Sequence, residues 1–102
     1  MNSQIKQVDG AYRLVGELDF NTVPHIWKSS EVMFTSSGRG LLVDLQEVHR
    51  ADSAGLALLV GWVRRARAAG IEVEFRHVPE QLLAIARVSG VEEMLPISPD
   101  VV

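Results

Sequence analysis

Two side chains in this chain stand out for the chemistry they could do. They are Asp52 and Ser53, a carboxylate and a hydroxyl side by side, followed by the apolar run Ala54-Gly55-Leu56-Ala57-Leu58-Leu59-Val60. A short polar pair before such a run marks the start of a helix. The first N–H groups of a helix have no partner within it, and the macrodipole concentrates partial positive charge there. Asp52 or Ser53 can supply the capping oxygen, an interaction that contributes about 1 kcal/mol. The same geometry suits an anion, so a phosphate carried on Ser53 would meet free donors and a favourable dipole. Gly55 leaves room for a partner's backbone to come close. The pair therefore reads both as a helix cap and as a candidate docking or modification site.

Hydrolytic chemistry has its residue types here but not its arrangement. Ser53, Asp52 and the histidines His25, His49 and His77 are present. A nucleophile elbow needs glycine two positions before the serine to make its strained turn, and that position is Ala51. No base or oxyanion hole is indicated for Ser53. The three histidines lie far apart in three different elements, without the short spacing that puts two metal ligands on one face. No phosphate-binding glycine loop is present either. Ser36-Ser37-Gly38-Arg39-Gly40 precedes a strand, where such a loop should follow one. These absences predict a protein that is not an enzyme and uses neither a cofactor nor a metal nor a small-molecule substrate.

The elements that must position Asp52 and Ser53 follow from patterning. Leu41-Leu42-Val43-Asp44-Leu45 reads as a buried strand feeding the Asp-Ser junction, the place where α/β proteins usually put function. Upstream, Ile5-Lys6-Gln7-Val8 and Tyr12-Arg13-Leu14-Val15 flank Asp9-Gly10, the signal for a two-residue hairpin. Gly16-Glu17-Leu18-Asp19 breaks that pattern. Asn21-Thr22-Val23-Pro24 then starts a helix that should run to about Ser36, with Val23, Ile26, Trp27 and Phe34 at helical spacing. After the junction, Leu56, Leu59, Val60 and Val63 make a stripe that should pack on the sheet. Leu58 and Trp62 make a second stripe beside it, and a tryptophan there suggests an interface anchor. Trp27 fits the core better. Arg64, Arg65 and Arg67 suit the helix end before Gly70. Ile71-Glu72-Val73-Glu74-Phe75 alternates as a strand, Pro79 to Val88 forms a helix, and Val91 to Leu95 adds a short turn. The order ββαβαβα predicts an α/β fold with a mostly parallel later half.

Composition sets the frame. The chain has 102 residues, 47% hydrophobic and 23% charged, with a net charge of -3 and no cysteine. That describes one soluble domain spanning residues 1–102. Nucleic-acid binding needs a concentrated basic face, which an acidic balance does not suggest. Disulfides and thiol chemistry are excluded, in keeping with a reducing compartment. The polar N-terminus lacks the apolar segment of a secretory signal, and no apolar run approaches the roughly 18 to 20 residues that span a bilayer. The expectation is a cytoplasmic protein whose link to a membrane would run through a partner.

Taken together, the hairpin, the Gly16-Glu17-Leu18-Asp19 turn, the Val43-Asp44-Leu45 strand and the Asp52-Ser53-Ala54-Gly55-Leu56 helix start resemble a STAS domain, the family named for sulfate transporters and anti-sigma factor antagonists. The resemblance implies a small mixed β-sheet with helices packed mainly on one face. In the anti-sigma factor antagonists a serine or threonine directly after the aspartate is phosphorylated by a partner kinase, which switches binding off. Ser53 holds that position, although the usual antagonist pattern has a second serine where this chain has Ala54. The run from Asp52 to Leu59 is also similar to the stand-alone STAS subunit of Mla-type phospholipid ABC transporters, the MlaB-like branch linked to toluene tolerance. That similarity implies a non-catalytic cytoplasmic accessory subunit, held at the inner membrane through the transporter complex. Its partner would be the ABC ATPase and, through it, the permease, in the service of outer-membrane lipid asymmetry. The expected docking surface is Asp52, Ser53, Ala54, Gly55, Leu58 and Trp62. The alternative is an anti-sigma factor antagonist switched by phosphorylation of Ser53.

Overall fold

The computed structural model describes residues 3–36 and 38–98. The chain opens with the hairpin β1 (Gln4–Val8) and β2 (Ala11–Leu18), paired antiparallel so that Val8 faces Ala11. Asp9 and Gly10 both take positive φ, 49° and 80°, the requirement of a two-residue turn whose twist matches the strands it joins. Two helices follow, α1 (Val23–Ser29) and α2 (Glu31–Ser36), then strand β3 (Gly40–Ala51), helix α3 (Ser53–Ala69), strand β4 (Glu72–Arg76) and helix α4 (Glu80–Val88). A single 3₁₀ turn spans Glu92–Met94. The four strands lie in the order β1-β2-β3-β4, with β2, β3 and β4 parallel. This is the mixed α/β sheet expected from the patterning.

The pleat sorts the strand residues into two sets. Leu14 and Leu18 of β2, Val43 and Leu45 of β3, and Phe75 of β4 are all buried, and they share a core with Ile26, Met33, Leu59, Trp62, Val63 and Leu82 from the helices. Alternate residues such as Arg13, Asp44 and Arg76 lie in register on the other face of the sheet. Helix α3 ends at Gly70, whose φ of 71° closes the last turn with its N–H on the Ala66 and Arg67 carbonyls.

Three features depart from the sequence expectation. The helix expected from residue 21 to about Ser36 is two helices meeting at Ser30. The Ser29 hydroxyl bonds the carbonyls of His25 and Ile26, and the buried Ser30 hydroxyl donates to Trp27 O at 2.6 Å. Adjacent serines that bond back onto the helix backbone compete with its ladder and bend it. Strand β3 runs on to Ala51, six residues past Leu45, because β2 continues to pair with it as far as Leu18 opposite Ala51. Finally, Pro96 to Ser98 extend the sheet beside β4: Phe75 N–H donates to Pro96 O and Ser98 N–H to Phe75 O, at 2.9 and 2.8 Å. Too short to show a strand period, that segment carried no signal in the sequence.

Candidate functional site

The register that pairs Leu18 with Ala51 also fixes the start of α3. Asp52 N–H donates to Leu18 O at 3.1 Å, so the chain leaves the sheet and turns into the helix within one residue. Asp52 has extended backbone angles and is the cap: its carboxylate accepts the Ala54 N–H at 2.8 Å. Of the two candidate caps, the aspartate therefore does the capping. Ser53, the first helical residue, is exposed, and its hydroxyl makes no hydrogen bond to any of the described residues. A hydroxyl left over at a helix start, outside the capping interaction, is free to be modified or to meet another molecule.

The rest of the expected docking surface is distributed differently. Ala54 and Gly55 are buried directly behind Ser53. The close approach that Gly55 permits is internal: a Cβ there would lie 3.0 Å from Leu18 Cβ and 3.4 Å from Leu18 O. Leu58 and Trp62, expected on an apolar docking face, are only 2% and 0% exposed. Trp62 Nε1 donates to Ser30 Oγ at 3.0 Å, which ties α3 to the junction of α1 and α2. The reason is that α3 is covered on its flank by α1 and α2 as well as beneath by the sheet, so its second apolar stripe is core. The residues that α3 does expose are Ser53, Ala57, Arg64, Arg67, Ala68 and Ala69, with Val60, Gly61 and Arg65 half-buried.

Sequence reasoning placed Trp27 in the core and passed over Phe20, yet Trp27 is 39% exposed and Phe20 78%. Phe20 sits in the turn between β2 and α1, which is braced by polar bonds. The Asp19 carboxylate accepts the N–H groups of Asn21 and Thr22, while the Thr22 hydroxyl donates to Glu17 O at 2.7 Å. Thr22 thus precedes α1 without capping it through its side chain. A large aromatic inside a turn of Asp, Asn and Thr was the available signal for exposure, since a residue there has no sheet or helix face to bury against.

The histidines are dispersed. His25 and His49 are exposed on α1 and at the end of β3. His77, in the left-handed region with φ of 57°, turns its Nδ1 to within 3.0 Å of the Asp44 carboxylate. Asp44 also accepts the Gln46 N–H at 2.9 Å and has Arg13 at 3.7 Å, and Arg13 continues to Glu47 at 3.0 Å. Burial pushes the Asp44 carboxyl up, but the Gln46 N–H, the His77 ring and the Arg13 guanidinium outweigh it and hold the group below the usual carboxylate range. No hydrogen bond joins Ser53 to a histidine, and no group of three or more His, Asp or Glu could hold a metal ion, among the described residues. No helix among them is long and apolar enough to cross a membrane.

A mixed four-stranded sheet, with an exposed serine opening the helix that follows its longest strand, defines a small α/β domain that presents a helix end to its surroundings. The chain belongs to the STAS domain family: the family model described as Mlab, STAS domain matches residues 1–96. It is similar to the anti-sigma-B factor antagonist of Listeria monocytogenes, 29% identical over 84 residues that cover 82% of this chain and 74% of that protein. It is also similar to the anti-sigma-B factor antagonist of Bacillus subtilis, 24% identical over 100 residues covering 96% and 91%. Among solved structures, the anti-sigma factor antagonist SpoIIAA in its unphosphorylated form shares the fold with a TM-score of 0.69 at 21% identity, covering 97% of this chain and 90% of that one. A putative antagonist from Thermotoga maritima gives 0.75 at 16%, covering 95% and 86%.

Proposed function

We propose that this protein is a non-catalytic regulator that docks on a protein partner through the start of α3, and that phosphorylation of Ser53 switches the contact. The observation that carries the reading is the separation of duties at the helix start. Asp52 caps the helix, so Ser53 is exposed with an uncommitted hydroxyl. The names of the relatives at 24 and 29% identity favour an anti-sigma factor as the partner, and in this reading a partner kinase supplies the phosphate. A phosphate would add a charge of about -1.5 to -2 beside the Asp52 carboxylate, at a position that the unmodified protein presents as a neutral hydroxyl. Its effect on docking would be repulsion and desolvation cost rather than a change of fold.

A second reading has its own support. The family model that matches is the Mlab type, and Ala54 stands where the antagonist pattern has another serine. Under that reading the same helix end docks on the ATPase of a phospholipid ABC transporter on the cytoplasmic side of the inner membrane, and Ser53 stays unmodified. One experiment separates the two. The tagged protein is purified from detergent-solubilised cells, and both its partners and the Ser53 peptide are read by mass spectrometry. An anti-sigma factor or kinase together with phosphate on Ser53 supports the regulator. An ABC ATPase with its permease and an unmodified Ser53 overturns it in favour of the transporter subunit.

A further inference from the structure

We infer that the groove between α1 and α3 seats an amphipathic helix of the protein partner, with carboxylates on the part of that helix lying over Lys28, Arg64 and Arg65. The inference rests on the reading of the Ser53 end as a contact surface and extends that surface along the helix. The groove has a volume of about 380 Å³, walled by Val23, Pro24 and Trp27 from α1 and by Ala57, Leu58 and Gly61 from α3. Almost nothing polar lines it, so it lacks the few fixed hydrogen-bonding groups that would orient a small polar ligand. It suits apolar side chains delivered by another protein surface. Its α3 wall begins at Ala57, one helical turn beyond Ser53, so an occupant of the groove would also pass the serine.

The aromatic wall is held in place. Gly61 has no side chain, and the Trp27 ring fills that space, with Cζ3 3.0 Å from where a Cβ would be. The Arg65 guanidinium lies over the Trp27 and Phe34 rings, 5.7 and 5.0 Å from their centroids. A tryptophan fixed in this way and 39% exposed is the type of residue that dominates binding energy when a partner covers it.

Charge complementarity selects the occupant. Lys28 follows Pro24 by four residues, Arg65 follows Gly61 by four and Arg64 follows Ala57 by seven, so each lies on the groove side of its helix about one turn past the lining. None of the three has a carboxylate partner among the described residues, and Glu31 at the start of α2 pairs with none of them. On a chain of net charge -3, these cations form a local patch of the opposite sign at one end of an apolar groove. A helix with two turns of apolar anchors and aspartate or glutamate about one turn further on satisfies both parts.

The test uses the full-length protein in its own cells, with the photocrosslinker p-benzoylphenylalanine placed in turn at Ser53, at Ala57 and, as a control, at Val88, which is 90% exposed on α4. The expected result is a cross-link from both Ser53 and Ala57 to one partner. The peptide captured by Ala57 should carry apolar residues at helical spacing and an acidic residue within two turns. Affinity for that partner should then fall tenfold or more in the double variant Lys28→Glu, Arg64→Glu, whose exposed positions leave the fold intact by circular dichroism. A cross-link from Ser53 without one from Ala57 overturns the groove and leaves the Ser53 reading standing. Cross-links from neither position, or equally from Val88, overturn both. A second copy of this chain in the groove, a captured peptide without acidic residues, or a double variant that binds within twofold of the parent overturns the acidic helix as occupant.

Discussion

At the scale of single residues, Asp52 and Ser53 are adjacent in sequence and separate in what they do, and paired substitutions should show it. Asp52→Ala removes the oxygen that accepts the Ala54 N–H, so it should cost about 1 kcal/mol of stability in urea unfolding. Ser53→Ala removes a hydroxyl that bonds none of the described residues, so stability should stay within about 0.5 kcal/mol of the parent. Ser53→Asp adds a charge that the helix start tolerates, and it too should fold normally. The two serine variants should differ in binding: Ser53→Asp should weaken the partner by at least about tenfold, near 1.4 kcal/mol, while Ser53→Ala binds like the parent. Titration of each variant against the purified partner measures this. Equal affinities would remove the start of α3 from the interface.

At the scale of elements, α3 shows how one helix combines core and surface duties, and its two interior glycines separate them. Gly55 faces Leu18, a core side chain whose carbonyl also holds the Asp52 N–H. Nothing there can move cheaply, so Gly55→Ala should cost about 1 to 3 kcal/mol despite alanine's better helix propensity. Gly61 faces the edge of the Trp27 ring, a partly exposed side chain held by Arg65 rather than core or backbone, so an added Cβ has to displace the ring only against that stacking contact. Gly61→Ala should therefore be neutral or stabilising by up to about 1 kcal/mol, while displacing the ring from the groove wall. Thermal unfolding of the two variants side by side reads the difference, and tryptophan fluorescence reports the ring. The patterning that located α3 from Asp52 to Gly70 could not make this distinction, because apolar spacing shows that Leu58 and Trp62 are sheltered from water by something but not whether it is the chain itself or a partner. The bend at Ser30 was hidden for a related reason. Serines are unremarkable at a helix surface, and only the buried contact with Trp62 shows that Ser30 belongs to the core.

At the scale of the whole molecule, the hairpin, the parallel strands and the helix start were legible because each is specified locally, by a turn dipeptide, a short apolar run or a cap. The contact between Asp44 and His77 was not, since it joins residues 33 positions apart through the β3–β4 pairing and a left-handed backbone at His77. That contact should set the acid limit of the fold. The Asp44 pKa is lowered in the folded state relative to the unfolded chain, so its stabilisation is fully present above the unfolded value, about 3.9, and is lost as pH falls through the lower folded value. Asp44→Asn keeps an oxygen for the Gln46 N–H but removes the charge that holds His77 and Arg13. It should cost about 1.5 to 3 kcal/mol near pH 6, the range for hydrogen bonds to charged groups. The penalty should begin to shrink below about pH 4, where the unfolded chain's aspartate takes up protons, and it vanishes only below the lower folded value, where the parent carboxylate is itself neutralised. Urea unfolding of parent and variant from pH 7 down to pH 3 measures the gap between the two curves. A gap that narrows on acidification places the pairing of Asp44 with His77 and Arg13 among the interactions that hold β4 and the start of α4 onto the sheet, whereas a constant gap would assign Asp44 a role in packing alone.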